Sequence, residues 1–214
     1  MVIPEGVTKI NEDAFSGCHS LTSVTIPASM TEIVPWAFQD CISLTDITIP
    51  KGVAVIEMRA FQGCTGLKTV TVPRDTDIGL LAFVGCEGLA DERGMVIVNG
   101  ILFDYSGPDL DVTVPEGITA ISGWDFRRNA SVTIPESVNE IEEINPFDDD
   151  MEYSENLLIR APAGSYAEQY AAEHGIPLEP VPDQLRNGSL KQFLPVRFAG
   201  EGTMEGGYGK HAKS

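Results

Sequence analysis

Apolar residues return to the same places about every 23 residues through the first ninety positions of the chain. Leu21, Val24, Ile26, Met30, Ile33 and Phe38 are followed, in the same order, by Leu44, Ile47, Ile49, Val53, Ile56 and Phe61. Within each unit, runs such as Val24-Thr25-Ile26 and Ile47-Thr48-Ile49 alternate apolar with polar. That is the period-2 signal of a strand with one buried face. A proline follows each run, and its missing N–H ends the pairing there. The pattern predicts strands ending at Ile3, Ile26, Ile49, Val72, Val114, Ile134 and Ile159. Gly6, Ser29, Gly52, Gly117 and Ser137 then share one turn position. Later in each unit, Ala14-Phe15, Ala37-Phe38 and Ala60-Phe61 predict a short helical turn on the outer side, anchored to the core by its phenylalanine.

A unit of this size cannot bury its apolar face alone, so neighbouring units must stack. A period of 20–29 residues with L-x-x-L-x-L spacing marks a leucine-rich-repeat solenoid. The longer phrase is Ile26-Pro27, Met30, Ile33, Ala37-Phe38, Cys41, Leu44, repeated as Ile49-Pro50, Val53, Ile56, Ala60-Phe61, Cys64, Leu67. It resembles the BspA-like, treponemal-type leucine-rich repeats of bacterial surface antigens. The resemblance covers residues 1 to about 180 and implies a surface-exposed, non-enzymatic adhesion or interaction module. The expected fold is therefore a leucine-rich-repeat solenoid. It comprises a parallel β-strand stack, short helical turns on its outer side, one β-hairpin insertion and a C-terminal capping helix.

The period breaks once, at about 91–107. Asn99-Gly100 lies there between the apolar runs 95–98 and 101–105. It predicts a hairpin, because a type I′ turn needs positive φ at both central residues. Two shorter coils follow, with Phe126 and Phe147 in the anchoring place and Asp125 and Pro146 where alanine stood before. Ser165 with Glu168 reads as a capping box for a helix running to about His174 and ending at Gly175. The segment 164–177 also resembles the family's terminal cap. The solenoid is thus expected over 1–180, with about seven coils. Residues 181–214 form a partly flexible, glycine-rich extension in which only 190–198 has the composition to pair or pack.

Charge narrows the partners. Residues 1–180 hold 9 Lys+Arg against 29 Asp+Glu, and the whole chain has a net charge of −18. Such a body repels nucleic acid and anionic membrane surfaces and favours cationic partners. No signal peptide, transmembrane run or lipidation motif is visible. The chain opens at Met1-Val2-Ile3-Pro4, the end of a repeat strand. It is therefore expected to be an excised piece of a secreted or cell-surface protein, its export signal lying outside the fragment.

Cys18, Cys41, Cys64 and Cys86 share one repeat position. Stacking puts neighbours about 5 Å apart, within Cα range of a disulfide. The preferred reading is instead a column of buried thiols acting as small hydrophobes. A single-column ladder does not converge on a tetrahedral metal centre, and no histidine recurs with it. Asp148-Asp149-Asp150 with Glu152 is an acidic loop without EF-hand spacing. The absence of G-x-S-x-G, H-E-x-x-H and C-x-x-C leaves no catalytic set, no metal site and no cofactor to assign.

Two surfaces are candidates for binding. The strand face carries Thr25, Thr48, Thr71, Thr113 and Thr133 in one column. Ser23, Asp46, Thr69, Asp111 and Ser131 form the other. This polar strip reads either as a binding face or as plain β-propensity, and it is expected to contain no aromatic residue and no arginine. On the outer edge, Asp13, Trp36, Arg59, Leu81 and Trp124 share a register. There Trp36 beside Arg59 reads as a cation–π pair, an exposed patch or a tryptophan simply lying over the next coil. Arg127-Arg128 add local positive charge beside Trp124. The expected function is a monomeric interaction or adhesion module for a protein or glycan, with no nucleic-acid binding and no membrane insertion. The alternative is a structural spacer that presents another domain, with the glycine-rich tail as the junction.

Overall fold

The computed structural model describes residues 1–123, 129–142 and 157–181. Each coil of the repeat contributes two short strands to two different faces, joined through turns. On the first face the bridges Val2–Thr25 and Ser23–Asp46 lead into β2 (Asp46–Thr48) and β4 (Thr69–Thr71). These two are parallel, with Thr48 opposite Thr71. Beyond the hairpin the same face continues as β8 (Asp111–Thr113), β10 (Ser131–Thr133), β12 (Leu158–Ala161) and β13 (Leu178–Pro180), all parallel. The second face carries β1 (Glu32–Ile33), β3 (Val55–Ile56) and β5 (Asp77–Ile78). It then carries β6 (Met95–Val98), β7 (Ile101–Tyr105), β9 (Ala120–Ser122) and β11 (Glu140–Glu142). The chain is a leucine-rich-repeat solenoid with little helix.

The core between the faces is built from the periodic positions. Phe38, Phe61 and Phe83 are fully buried and stack in one column, with Phe15 half-buried at its open end. Their ring centroids lie 5.2, 5.3 and 5.3 Å apart, with planes within 12° of parallel. The column ends on a ring the repeat does not supply. Phe103, from β7, meets Phe83 edge-on at 5.4 Å and 69°.

The outer side differs from the expected helical turns. In a helix Phe38 N–H would bond within its own coil; instead it donates to Ala60 O of the next coil at 2.8 Å. Phe15 and Phe61 donate likewise to Ala37 and Ala82. Asp13, Trp36, Arg59 and Leu81 all adopt φ between 53° and 59°, a left-handed conformation that stops a helix from propagating. The side is a stack of hydrogen-bonded turns, and its ladder runs along the rod axis.

The hairpin forms as the Asn-Gly signal predicts. β6 and β7 are antiparallel, and Asn99 and Gly100 have φ of 50° and 80°. A shift in register between Val96 and Ile97 lets the ribbon bend. Asn99 Nδ2 also donates to Pro73 O at 3.1 Å, tying the tip to the preceding coil. The cap helix α1 spans Tyr166–Glu173, with Gly175 at φ 65° beyond it. Ser165 Oγ accepts from Glu168 N as expected. The Glu168 carboxylate returns to Gly164 N at 2.6 Å rather than to the N-cap's own N–H.

One register differs from the sequence expectation by two residues. Val132 pairs with Ile159 and Thr133 with Arg160. The strand therefore ends at Ala161, with Pro162 in the proline position, rather than at Ile159. A slip of two keeps the same side chains inward, so alternation alone could not separate the two registers.

Candidate functional site

The first strand face presents the two expected columns. Asp46 lies opposite Thr69 and Asp111 opposite Ser131, with the Thr48–Thr71 and Thr113–Thr133 pairs beside them. Strand alternation turns these outward while Ile47, Val112 and Val132 point into the core. Thr25, Thr48, Thr71 and Thr113 are exposed, and Thr133 is half-buried. Asp46 accepts a hydrogen bond from Thr45 Oγ1 at 2.8 Å.

The two halves of this face differ chemically. The two-residue register difference brings Arg160 into the threonine column, so the strip does contain an arginine. Arg160 Nη1 donates to Ser131 Oγ at 2.5 Å, and Ser131 in turn donates to Asp111 Oδ1 at 2.5 Å. The guanidinium also holds Glu179 at 2.7 Å. Asp111, a candidate binding residue, is thus part of an Asp–Ser–Arg–Glu network. Thr25, Thr48 and Thr71 instead leave their hydroxyls without partners among the described residues. Arg160 and Glu179 were missed because their place depends on the number of residues between Thr133 and its partner in the next strand. No local pattern fixes that number.

The outer-edge register also holds in part. Asp13, Trp36, Arg59 and Leu81 occupy equivalent positions, but their shared property is backbone conformation, not exposure. Leu81 is buried, Trp36 and Arg59 are half-buried, and Asp13 is exposed. Trp36 N lies 3.4 Å from Met58 O, next to Arg59. Arg59 Nε is buried without a hydrogen-bond partner, as is Gln62 Oε1. Trp124, Asp125, Phe126, Arg127, Arg128, Phe147, the Asp148–Asp150 loop, Glu152 and the segment 190–198 lie outside the described residues.

A cleft of about 280 Å³ opens on the second face where the first stack meets the second. Asp77, Glu140, Glu142, Ser122 and Ile101 line it. Burial raises the Glu142 carboxyl above its ordinary range, Ser122 opposes the shift by hydrogen bonding, and Glu140 and Asp77 add repulsion. No group of three or more His, Cys, Asp or Glu able to hold a metal occurs among the described residues. Among them, too, no helix is long and apolar enough to cross a membrane.

The cysteines form the expected column and are free thiols. Cys41, Cys64 and Cys86 are fully buried, whereas Cys18 is exposed. Each buried thiol donates to the phenylalanine carbonyl of the coil before it: Phe15, Phe38 and Phe61, at 3.1–3.2 Å. The neighbouring Cys64 thiol, together with burial, holds Cys41 far above the ordinary thiol range. For Cys64, the contact with Cys41 acts downward. The neighbouring Cys86 thiol and burial outweigh that and push it up to about 12.

Coil geometry, phenylalanine column and strand register define a leucine-rich-repeat protein. Residues 1–93 match the BspA type leucine rich repeat region in six copies. Solved structures similar to it include the leucine-rich repeat protein of T. pallidum, with 21% identity, TM-score 0.43 and coverage of 83% of this chain and 84% of that one. A leucine rich cell surface protein of Faecalibacterium prausnitzii A2-165 is 29% identical, with a TM-score of 0.47, over 64% of this chain and 41% of its own. A leucine-rich repeat protein of Bacteroides ovatus ATCC 8483 is 20% identical, with a TM-score of 0.41, over 84% of this chain and 60% of its own. The chain thus spans well under half of the F. prausnitzii protein. No curated protein matches it.

Proposed function

We propose that this chain is a non-enzymatic interaction module of a bacterial cell-surface or secreted protein, binding a protein or glycan as a monomer. The first strand face is the binding surface, with Thr25, Asp46, Thr48 and Thr71 at its centre. The observation that carries this reading is the in-register set of exposed hydroxyls left without intramolecular partners beside Asp46. Preformed, rigid donors and acceptors lose little entropy on binding. Trp36 and Arg59 on the outer edge form a second contact, since Trp and Arg carry a large share of binding energy at interfaces. The net charge of −18 favours a cationic partner.

The test is surface plasmon resonance against purified extracellular-matrix proteins, run beside a glycan array. The wild-type chain, a T48K/T71K double variant and W36A are compared. Binding abolished by T48K/T71K, weakened but not lost in W36A and reduced by salt supports the strand face with the outer edge as a second contact. Binding lost only in W36A moves the site to the outer edge. No binding by the wild-type chain favours a spacer that presents another domain.

A further inference from the structure

We propose that the hairpin tip Asn99-Gly100 is a gated modification site: the fold withholds Asn99 from conversion to isoaspartate, and the conversion proceeds only when the contacts that join the two stacks there open. Asn99 and Asn187 are the two asparagines of the chain that a glycine follows. Such a dipeptide can react with itself. A glycine has no side chain to crowd its backbone nitrogen, so that nitrogen can attack the side-chain carbonyl of the asparagine before it. Asn99 is exposed, so burial does not protect it.

Geometry does. Asn99 and Gly100 hold φ of 50° and 80°, as a type I′ turn requires. The first central residue of such a turn has ψ of about +30°, the mirror of type I. That places Gly100 N on the side of the Asn99 Cα–C bond away from the side chain, whereas the attack needs it alongside. The peptide plane must therefore swing round, and contacts from both stacks resist it. Asn99 Nδ2 donates to Pro73 O of the first stack at 3.1 Å. Gly100 O accepts from Thr119 N of the second at 2.9 Å and from Thr119 Oγ1 at 3.4 Å. Between them the pairing of Val98 with Ile101 closes the turn.

The chemistry balances. Gly100 N bonds to Asn99 Cγ, the Cγ–Nδ2 bond breaks, and ammonia leaves with the proton that the attacking nitrogen gives up. The product is a cyclic succinimide. Water then opens the ring, giving aspartate when it adds at Cγ and isoaspartate when it adds at the main-chain carbonyl. One water is consumed, one ammonia is released, and nothing is oxidised or reduced. Either product loses the Nδ2 donor to Pro73 O. Isoaspartate also adds a methylene to the main chain inside a two-residue turn. The modification therefore loosens the junction that had held it back.

The test incubates the full chain in mildly alkaline buffer, native and across a guanidinium series, and maps isoaspartate by enzymatic methylation and peptide mass. In full denaturant Asn99 and Asn187 should convert at similar rates. In the native chain Asn99 should convert about tenfold or more slowly than in the unfolded one, by the factor that local opening sets. Across the series its rate should rise together with amide exchange at Thr119. Chain converted at Asn99 and returned to native buffer should exchange the Thr119 N–H faster than unconverted chain. Native conversion of Asn99 as fast as in denaturant would overturn the proposal. So would conversion that stays slow once Thr119 exchanges freely, or a converted chain whose Thr119 exchange is unchanged.

Discussion

At the residue scale, the two sides of the strand differ sharply in what a truncation removes. Phe61 is fully buried and stacks on Phe38 and Phe83 at 5.3 Å on either side. Phe61→Ala leaves a cavity that coils already in contact cannot fill, and is expected to cost about 3–5 kcal/mol. Thr48 faces outward opposite Thr71, so Thr48→Ala should cost under about 1 kcal/mol. Urea melts of the two variants check this, and equal losses would mean that inward and outward faces are exchanged. The phenylalanine and cysteine columns were legible in the sequence because each recurs at a fixed step in coils of constant length. Arg160 was not, because the coil before it has a different length and a two-residue slip leaves every inward side chain inward. The Trp36 and Arg59 positions were legible as a register. Their left-handed backbone was not, since tryptophan and arginine carry no preference for positive φ.

At the element scale, Asn-Gly announced the hairpin, whereas the second-face strands β1, β3 and β5 went unread. Each is two residues long, too short for alternation to register as a pattern. The outer turns were misread as helical for a related reason. Alanine and phenylalanine there suit either, and only the inter-coil bonds decide. Asn99 combines two roles that substitutions can separate. Its backbone holds φ 50° and its side chain bonds Pro73 O at 3.1 Å. Asn99→Gly keeps the turn and loses the bond, an expected cost of about 1 kcal/mol. Asn99→Ala loses both and should cost about 1 kcal/mol more. Chemical denaturation of the pair measures the difference, and identical losses would show that the backbone conformation is not under strain. At the other end of the chain, Ser165→Ala removes the acceptor for Glu168 N. It should cost about 1 kcal/mol, read as a lower melting temperature.

At the scale of the whole molecule, two stacks are joined through one hairpin. The junction has both an electrostatic and a packing signature. Glu142 lines the cleft there, its proton affinity raised chiefly by burial. A carboxyl that holds its proton more tightly when folded disfavours the folded state once it ionises. Stability therefore falls as pH rises from the ordinary glutamate range through the raised folded value. Glu142→Gln should raise the melting temperature at pH 7, with the gain vanishing below about pH 4. A gain that persisted at low pH would point to packing instead of charge. The packing signature is the division of the hairpin between two cores. Val96, Val98 and Phe103 join the core of the first stack, while Met95 and Leu102 join that of the second. In a solenoid each coil is stabilised by its neighbours, so a defect in the middle uncouples what lies on either side, whereas a defect at the end frays one coil. Phe103→Ala should therefore cost about 3–5 kcal/mol and raise amide exchange on both sides of the hairpin. Phe15→Ala, at the half-buried end of the same column, should cost about 1–2 kcal/mol and raise exchange in the first coil alone. Hydrogen exchange resolved along the chain separates the two patterns. If Phe103→Ala loosened only the coils before it and left β9 and β11 protected, the two stacks would be independent units joined by a hinge rather than one cooperative rod.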